Sequence, residues 1–230
     1  MLDQSLENQI DLLHFTLYQF ITFVFMDFPS KLIENGVQAF ASLPGIGKKT
    51  ALRLVVHLLQ EDEELAKRIS ESIYKLRTEI KYCHRCGNVS DEDICTICSD
   101  TSRMQDVICV VENFRDILAV ENTGHYRGLY HTLGGLISPL DGVGPEKLNI
   151  QSLIDRVQQE GIREIIMALN PTIDGDTTLF YLSRQLSQLP VTVTTLARGV
   201  AFGGELEYVD EVTLARSIQS RRPYESYTAE

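Results

Sequence analysis

Residues 82–100 read Tyr82-Cys-His-Arg-Cys-Gly-Asn-Val-Ser-Asp-Glu-Asp-Ile-Cys-Thr-Ile-Cys-Ser-Asp100, and the rest of the chain is organised around this stretch. Four of the five cysteines fall here as two Cys-x-x-Cys knuckles, Cys83/Cys86 and Cys95/Cys98. A two-residue gap lets both sulfurs of a knuckle reach one metal ion, and two knuckles supply the four ligands of a tetrahedral zinc site. Four thiolates leave no coordination position open, so the spacing predicts a closed, structural Zn²⁺ site.

Paired cysteines have two other uses. Two disulfides would suit a secreted protein, but residues 1–25 lack the positively charged start and small-residue cleavage site of an export signal. Redox-active Cys-x-x-Cys motifs do not come in tandem. His84 lies inside the first knuckle, where we expect its ring to face solvent instead of the metal. Reduced cysteines that hold a metal indicate a cytoplasmic protein.

A helical hairpin is predicted upstream of the cysteines. Apolar residues repeat at helical spacing before Leu43-Pro-Gly-Ile-Gly47 and again from Lys48 to Gln60, so two helices flank a glycine-rich turn. This is the helix-hairpin-helix signature, whose glycines permit a tight turn and let the backbone approach a phosphate. The N–H groups at the start of the second helix then receive the anion. The candidate DNA contacts are Gly45, Gly47, Lys48, Lys49 and Arg53.

The turn has two competing interpretations. In an ordinary helical hairpin the glycines would serve only as a helix cap. A nucleotide-binding P-loop is suggested by residues 47–50, but that motif needs a glycine at position 42, where this chain has Ser42. The P-loop interpretation is therefore rejected.

Residues 61–80 are predicted to form a third helix. Its acidic start complements the helix dipole. An apolar stripe lies beneath its mixed-charge face, which predicts a scaffold helix leading into the zinc knuckles. The stripe consists of Leu65, Ile69, Ile73, Leu76 and Ile80.

The charge distribution indicates where nucleic acid could bind. The chain has a formal net charge of −11, whereas nucleic-acid binders usually carry a basic surface. Residues 1–25 carry −3, residues 26–81 carry +1 and residues 82–230 carry −9. We therefore expect any DNA contact within residues 26–81, with modest and salt-sensitive affinity for a single chain.

Strand and helix patterns alternate after residue 103. Strands are predicted at 107–111, 164–169 and 191–196, and helices at 114–120, 147–160 and 177–188. This alternation is typical of α/β folds with a mainly parallel sheet wrapped by helices. Residues 134–145 are rich in Gly and Pro and are predicted to form an extended surface loop. Cys109, in the first strand, is interpreted as a core residue.

Acidic residues follow two of these strands. Glu112 closes the first strand, and Asp174-Gly-Asp176 lies in the predicted loop after the second, with Gly175 keeping the turn tight. Ligands of open α/β sheets gather at the carboxyl ends of strands, so these three carboxylates could meet there. Together they would form a hard oxygen site for Mg²⁺. The alternative is that they are solvated loop acids that bind no metal.

A glutamate at a strand end, followed by Asp-x-Asp after a later strand, resembles the Toprim domain of topoisomerases, bacterial primases and some nucleases. Helix-hairpin-helix, four-cysteine zinc finger and Toprim, in this order, resemble the RecR family of bacterial recombination mediators, from Met26 to Tyr224. Further stretches similar to the family are Val-Val-Glu (110–112), Tyr-Arg-Gly-Leu-Tyr-His (126–131), Ser-Pro-Leu-Asp-Gly-Val-Gly-Pro (138–145), Asn-Pro-Thr-Ile-Asp-Gly-Asp (170–176) and 197–214. The family often has Glu-Gly-Glu where this chain has the shorter Asp-Gly-Asp.

The resemblance implies a non-catalytic, DNA-binding role in recombinational repair. Family members work with RecO, and in another complex with RecF, at gaps and damaged forks, where they help RecA replace single-strand-binding protein. They form ring-like tetramers that encircle or clamp single-stranded or duplex DNA. By this resemblance Lys49 and Arg53 contact DNA and the four cysteines bind zinc. Glu112, Asp174 and Asp176 become acids for partner docking instead of turnover.

The competing interpretation is a Mg²⁺-dependent Toprim nuclease or primase, based on the three acids alone. Tyr126 and Tyr130 lie in the appropriate half of the chain for strand transfer, but the sequence shows no group that would activate them. The acidic half suits a basic partner such as RecO better than bare DNA.

The predicted fold class is α/β within a multi-domain α+β chain. The expected domains are a helix-hairpin-helix at 26–80, a four-cysteine zinc finger at 81–102, a Toprim-type mainly parallel sheet with flanking helices at 103–198, and a C-terminal strand and helix for oligomerisation at 199–230. Residues 1–25 are expected to be a non-native extension upstream of Met26. Their apolar part is too short to span a bilayer, and the alternative is an added amphipathic helix that packs on a partner.

Overall fold

A computed structural model describes residues 28, 30–201, 203–221 and 223. The predicted extension, residues 1–25, lies outside the described residues. The chain divides into two compact units, with the boundary between Thr78 and Glu79. Within the described part of the chain, no helix combines the length and the apolar character needed to cross a lipid bilayer.

The first unit begins with the predicted helical hairpin. Its two helices are α1 (Lys31–Ala41) and α2 (Lys48–Gln60). The side chain of Ser30 caps α1 by accepting a hydrogen bond from the Leu32 N–H at 3.2 Å. The two helices pack through Val37, Ala51 and Val55, which are buried. A Cβ at Gly36 would lie 3.2 Å from the Val55 side chain, so this glycine allows the helices to approach each other closely.

A third helix, α3 (Glu63–Glu79), follows with the predicted acidic first turn. It has no buried residue among those described, and Ile73 and Leu76 of the predicted stripe are 59% and 64% exposed. The stripe therefore exists at helical spacing, but the described part of this chain covers it only partly, since Leu65, Ile69 and Ile80 are half-buried and the other two residues are exposed.

The second unit begins with the cysteine-rich segment. It contains β1 (Lys81–Tyr82), β2 (Val89–Ser90) and the short helix α4 (Thr96–Ser99). The two strands pair antiparallel, with Tyr82 opposite Val89. They form the hairpin that carries the first knuckle, and α4 carries the second.

The remainder of the second unit has an α/β fold, a four-stranded sheet with helices between its strands. Its strands are β3 (Val107–Val111), β4 (Leu129–Thr132), β5 (Glu164–Met167) and β6 (Thr192–Thr195), in the spatial order β4-β3-β5-β6. All three pairings are parallel, as the sequence predicts. The helices are α5 (Phe114–Glu121), α6 (Ile150–Gln159), α7 (Ile173–Leu186) and α8 (Glu211–Gln219). The core is aliphatic, and Ile108, Leu129, Ile165 and Leu182 in it are fully buried.

The structure departs from the predictions at four places in the second unit. The predicted C-terminal strand is wrong, because the described residues after β6 form a short 3-10 turn (Leu206–Tyr208) and helix α8 and contain no strand. β4 was not predicted, because its four residues include Tyr130 and His131 and have no apolar alternation. Helix α7 begins at Ile173, four residues before the predicted start, because the Thr172 side chain caps it by accepting from the Gly175 N–H at 3.0 Å. The predicted surface loop at 134–145 is partly buried, since Ile137 packs into the core.

Candidate metal centre and nucleic-acid interface

The four predicted cysteines form one cluster. Their sulfur atoms all lie within 4.8 Å of one another and their side chains are buried, with the Cys86 and Cys95 sulfurs 3.6 Å apart. A tetrahedral Zn²⁺ with Zn–S bonds of about 2.3 Å sets its sulfurs about 3.8 Å apart. The cluster therefore has the size of a four-thiolate zinc site. No other group of potential metal ligands occurs among the described residues, and His84 is exposed, as expected.

Backbone contacts hold the two knuckles in position. In the first, the Gly87 N–H donates to the Cys83 carbonyl at 2.8 Å, and the Cys83 N–H donates to the Asn88 carbonyl at 2.7 Å. The knuckles are joined by the Cys95 N–H, which donates to the Cys83 sulfur at 3.3 Å. An N–H aimed at sulfur favours the thiolate form, which is the form that binds metal.

The four thiols are too close together to ionise freely. The hydrogen bond from Cys86 lowers the pKa of the Cys95 thiol, and the same contact with Cys95 raises the pKa of Cys86. The four cysteines would hold a divalent cation, which would remove this conflict by neutralising thiolates that otherwise repel one another. The soft, closed donor set suits Zn²⁺, and the fit supports a structural role.

The zinc-finger segment is docked onto the edge of the sheet through its first knuckle. The Thr132 backbone N–H and side-chain hydroxyl both donate to the Cys86 carbonyl, at 2.8 and 2.9 Å. Gly87 has φ +74°, and a Cβ there would lie 2.8 Å from both Thr132 Oγ1 and Asn149 Nδ2. Asn149 in turn donates to the Thr132 carbonyl at 3.0 Å. Only glycine satisfies both the backbone conformation and this close approach.

An ion-pair network provides a second attachment. Arg85, inside the first knuckle, donates to both carboxylate oxygens of Glu160, with Nη2 at 2.9 Å from Oε2. It also donates to the Cys98 carbonyl at 3.0 Å, so it contacts both the second knuckle and the end of α6. Glu160 is also paired with Arg156 at 3.3 Å. Burial opposes ionisation of Glu160, but the hydrogen bonds from Arg85 and the charge of Arg156 prevail and lower its pKa.

The hairpin between α1 and α2 carries the predicted DNA contacts. Lys48, Lys49 and Arg53 are all exposed, in the first two turns of α2. The first turn contains no acidic residue, and no side chain caps it. Such a helix start presents backbone N–H groups and the positive end of the dipole to solvent. The arrangement therefore suits a phosphate group.

The two turn glycines play different parts. Gly45 has φ +79°, a left-handed conformation that favours glycine. Gly47 caps α2 with φ −81°, which any residue can adopt. No described atom would lie within 4 Å of a Cβ at Gly47, so the space in front of the helix is open. The tight turn therefore depends on Gly45, and Gly47 contributes open access to the backbone.

The three predicted acids lie at the carboxyl edge of the sheet, but they do not form a metal-binding group among the described residues. Glu112 follows β3 and accepts a hydrogen bond from the Asn170 side chain at 3.1 Å. Asp174 and Asp176 lie in the first turn of α7 instead of the predicted loop. A Cβ at Gly175 would overlap the Asn170 carbonyl oxygen, so this glycine serves a close approach of two backbone segments.

Both tyrosines considered for strand transfer are structural. The Tyr130 hydroxyl donates to a Glu121 carboxylate oxygen at 2.7 Å, and the Tyr126 hydroxyl donates to the Leu129 carbonyl at 2.7 Å. Burial raises the pKa of both hydroxyls. Raised pKa values and fixed acceptors disfavour the phenolate that a nucleophile requires.

Three residues that hold the finger in place were not among the sequence predictions: Arg85, Gly87 and Thr132. The position of Arg85 inside a knuckle could have marked it as a residue of interest. Its partner Glu160, however, is 75 residues away in the sequence. No spacing rule connects residues so far apart in the chain.

Comparison with protein families assigns each part of the chain. Residues 33–76 match the family described as RecR, helix-hairpin-helix, and residues 80–100 match the four-cysteine zinc-finger domain of RecR. Residues 106–197 match the Toprim domain, and residues 199–222 match the family RecR, C-terminal.

Curated relatives cover most of the chain. The Recombination protein RecR of Amoebophilus asiaticus is 54% identical over 199 residues, which is 86% of this chain and 100% of the relative. The Recombination protein RecR of Porphyromonas gingivalis is 52% identical over 197 residues, or 86% of this chain and 95% of the relative. That of Flavobacterium johnsoniae is 50% identical over 200 residues, with 87% and 97% covered.

Proposed function

Because the chain belongs to the RecR family of recombination proteins, we propose that it is a recombination mediator that binds DNA without cutting it. It acts in recombination and repair. In this proposal it works with RecO and RecF to help load RecA at gaps, where single-strand-binding protein must be displaced. The observation that carries the proposal is the start of α2, where exposed Lys48, Lys49 and Arg53 flank a first turn with no acidic residue.

This interface suits the DNA backbone more than particular bases. Backbone N–H groups and basic side chains neutralise phosphates, which gives affinity without sequence preference. Three cations are few for a chain with a net charge of −11. A single copy should therefore bind weakly, and binding should fall steeply as salt is added.

Assembly into a ring-like tetramer would overcome this weakness. Four linked hairpins that engage one DNA molecule gain effective concentration, which can raise affinity by about 10² to 10⁴ without a new contact. Two surfaces support assembly: the exposed Ile73 and Leu76 of the α3 stripe, and the exposed residues of the C-terminal segment (residues 197–221). In this proposal residues 26–80 bind DNA, residues 81–102 form the structural finger, residues 103–198 form the Toprim domain and residues 199–230 serve oligomerisation.

A basic partner such as RecO would dock on the acidic edge of the Toprim domain. Residues 82–230 carry a charge of −9, which favours a basic surface over DNA. Glu112 and Asp174 are half-buried at this edge, and neither forms an ion pair within 4.0 Å in the described part of the chain. We place the protein in the cytoplasm, where its free cysteines stay reduced.

The proposal is tested by incubating the full chain with supercoiled plasmid, with and without Mg²⁺. Half of each sample is run natively and half after detergent and protease. We expect a shift in the native lane that vanishes after deproteinisation. Nicked or relaxed plasmid that survives deproteinisation, only with Mg²⁺ and only with intact Asp174, would instead establish a nuclease.

A matched pair of variants tests the hairpin. Lys49→Glu with Arg53→Glu should abolish the shift while zinc content stays unchanged. Lys67→Glu with Lys75→Glu makes the same charge change on α3, where both lysines are exposed, and should retain most of the shift. Equal losses in the two variants would mean that total charge, and not the hairpin, decides binding.

Partner docking is tested separately. Glu112→Gln with Asp174→Asn should weaken the association with purified RecO and spare DNA binding. Glu146→Gln with Asp155→Asn removes the same charge at exposed sites elsewhere and serves as the control. Unchanged RecO binding in the first variant would remove the acidic edge from the interface.

A further inference from the structure

The second acid of the Asp-Gly-Asp motif is already engaged within the chain. Asp176 Oδ1 lies 2.7 Å from Arg198 Nη2, and Asp176 Oδ2 lies 3.9 Å from Arg216 Nη2. Arg198 comes just after β6 and Arg216 lies in α8, so each carboxylate oxygen faces an arginine from a different part of the C-terminal segment.

The contact with Arg198 is the stronger of the two. A 2.7 Å separation is that of a charge-assisted hydrogen bond, whereas 3.9 Å is only a Coulombic contact. The hydrogen bond from Arg198 and the charges of both arginines hold the pKa of Asp176 below its usual range. Asp174, two residues earlier, forms no ion pair within 4.0 Å in the described part of the chain.

The C-terminal segment has little else to hold it. None of its described residues is buried. Four of its apolar side chains, Leu206, Tyr208, Val212 and Ile218, are 64%, 79%, 63% and 58% exposed, and Val200, Val209 and Leu214 are only half-buried. Apolar burial within one chain therefore stabilises the segment little, and a charged contact has a correspondingly larger share.

We propose that Asp176 is a positioning residue that anchors the C-terminal segment (residues 197–221) to α7, through Arg198 at the boundary between the Toprim domain and the segment and through Arg216 of α8. The two acids of the motif then have different tasks. Asp176 holds a cation that belongs to the same chain, and Asp174 keeps its carboxylate available to an external partner. The task given to Asp174 rests on the proposed docking role, whereas the anchor at Asp176 lies within one chain and does not depend on that role or on DNA binding.

The anchor also explains why the three acids do not form a magnesium site. A guanidinium at 2.7 Å occupies one oxygen of Asp176, and the other oxygen faces a second positive charge. A divalent cation would have to displace Arg198 before it could use this carboxylate.

The test is a double-mutant cycle read by hydrogen exchange of the full-length protein. The variants are Asp176→Asn, Arg198→Gln and the two together, and exchange is followed in peptides covering 199–219. Each single variant should exchange about twofold to fivefold faster there at low salt, which corresponds to an exposed ion pair. The double variant should exchange no faster than either single one, because both remove the same contact.

Asp174→Asn is the matched control. It removes the same charge from the same first turn of α7, so its effect on the helix dipole is equal. It should leave exchange in 199–219 unchanged. Raising NaCl from about 0.05 M to about 1 M screens the ion pair, so exchange of the wild type should speed up towards the rate of Asp176→Asn. The exchange rate of Asp176→Asn itself should stay nearly constant. Additive effects in the double variant, or equal effects of Asp174→Asn and Asp176→Asn, would overturn the proposal.

Discussion

Replacing Gly87 by alanine should measure how tightly the finger is docked on the sheet. The substitution has two costs. A non-glycine residue at φ +74° costs about 1–2 kcal/mol in the left-handed region. The new Cβ would also lie 2.8 Å from Thr132 Oγ1 and Asn149 Nδ2, and overpacking of this kind costs about 1–3 kcal/mol. We expect Gly87→Ala to lower the free energy of unfolding by about 2–5 kcal/mol in total.

Gly161 provides the control for the backbone cost. It has φ +68°, but no described atom would lie within 4 Å of its Cβ. Gly161→Ala should therefore cost only about 1–2 kcal/mol. The difference between the two variants isolates the contact with Thr132 and Asn149. Any gain from a stiffer unfolded chain is common to both and cancels.

The assay is urea denaturation of the zinc-loaded protein followed by circular dichroism, since the chain contains no tryptophan for fluorescence. Zinc release to a chromogenic chelator is measured in parallel. Gly87→Ala should release zinc faster than the wild type, and Gly161→Ala should not. If the two variants unfold at the same urea concentration, the finger is able to shift away from β4 at no cost, and the docking argument fails.

Three further predictions concern the same unit. Arg85→Met should lower the free energy of unfolding by about 1–3 kcal/mol, because it leaves the half-buried Glu160 without its main hydrogen-bond donor. Adding Glu160→Gln to this variant should restore part of the lost stability, as measured by urea titration. Burial lowers the pKa of His131 from 6.5 to about 4, so its contribution to stability is present above pH 6.5 and is lost as pH falls towards about 4. His131→Gln should therefore flatten the stability–pH curve in that window by on the order of 2–3 kcal/mol, and an unchanged slope would refute this. Cys86→Ser should abolish zinc binding in native mass spectrometry and speed hydrogen exchange at Thr132, whose N–H donates to the Cys86 carbonyl; a zinc-bound variant would contradict the assignment.

Local patterns were sufficient to predict most of the architecture. The four zinc ligands lie within sixteen consecutive positions, 83–98. The spacing of the cysteines in the sequence is therefore enough to predict the whole site. The hairpin turn is equally local. β3 was predicted with correct bounds because Val107–Val111 is a continuous apolar run, which is typical of a strand buried on both faces.

Features that depend on distant residues could not be predicted. β4 contains Tyr130 and His131, and His131 is buried only because its ring nitrogen meets the Asn149 carbonyl at 2.8 Å. Asp176 reads as a metal ligand or docking acid until Arg198, 22 positions later, is seen beside it. The need for glycine at position 175 could not be predicted either. The Asn170 carbonyl leaves no room for a side chain there, and only the folded backbone brings the two residues together.

The attachment of the finger to β4 has a consequence for the order of events during synthesis. The last zinc ligand is residue 98, whereas the sheet is complete only when β6 ends at Thr195. At about 5–20 residues per second the ribosome needs about 5–20 s to make the chain between these points. The finger can therefore take up its metal and fold before the sheet exists, so that the Cys86 carbonyl is already fixed when Thr132 arrives. Metal supply during translation, more than after it, should then decide what fraction of new chains matures.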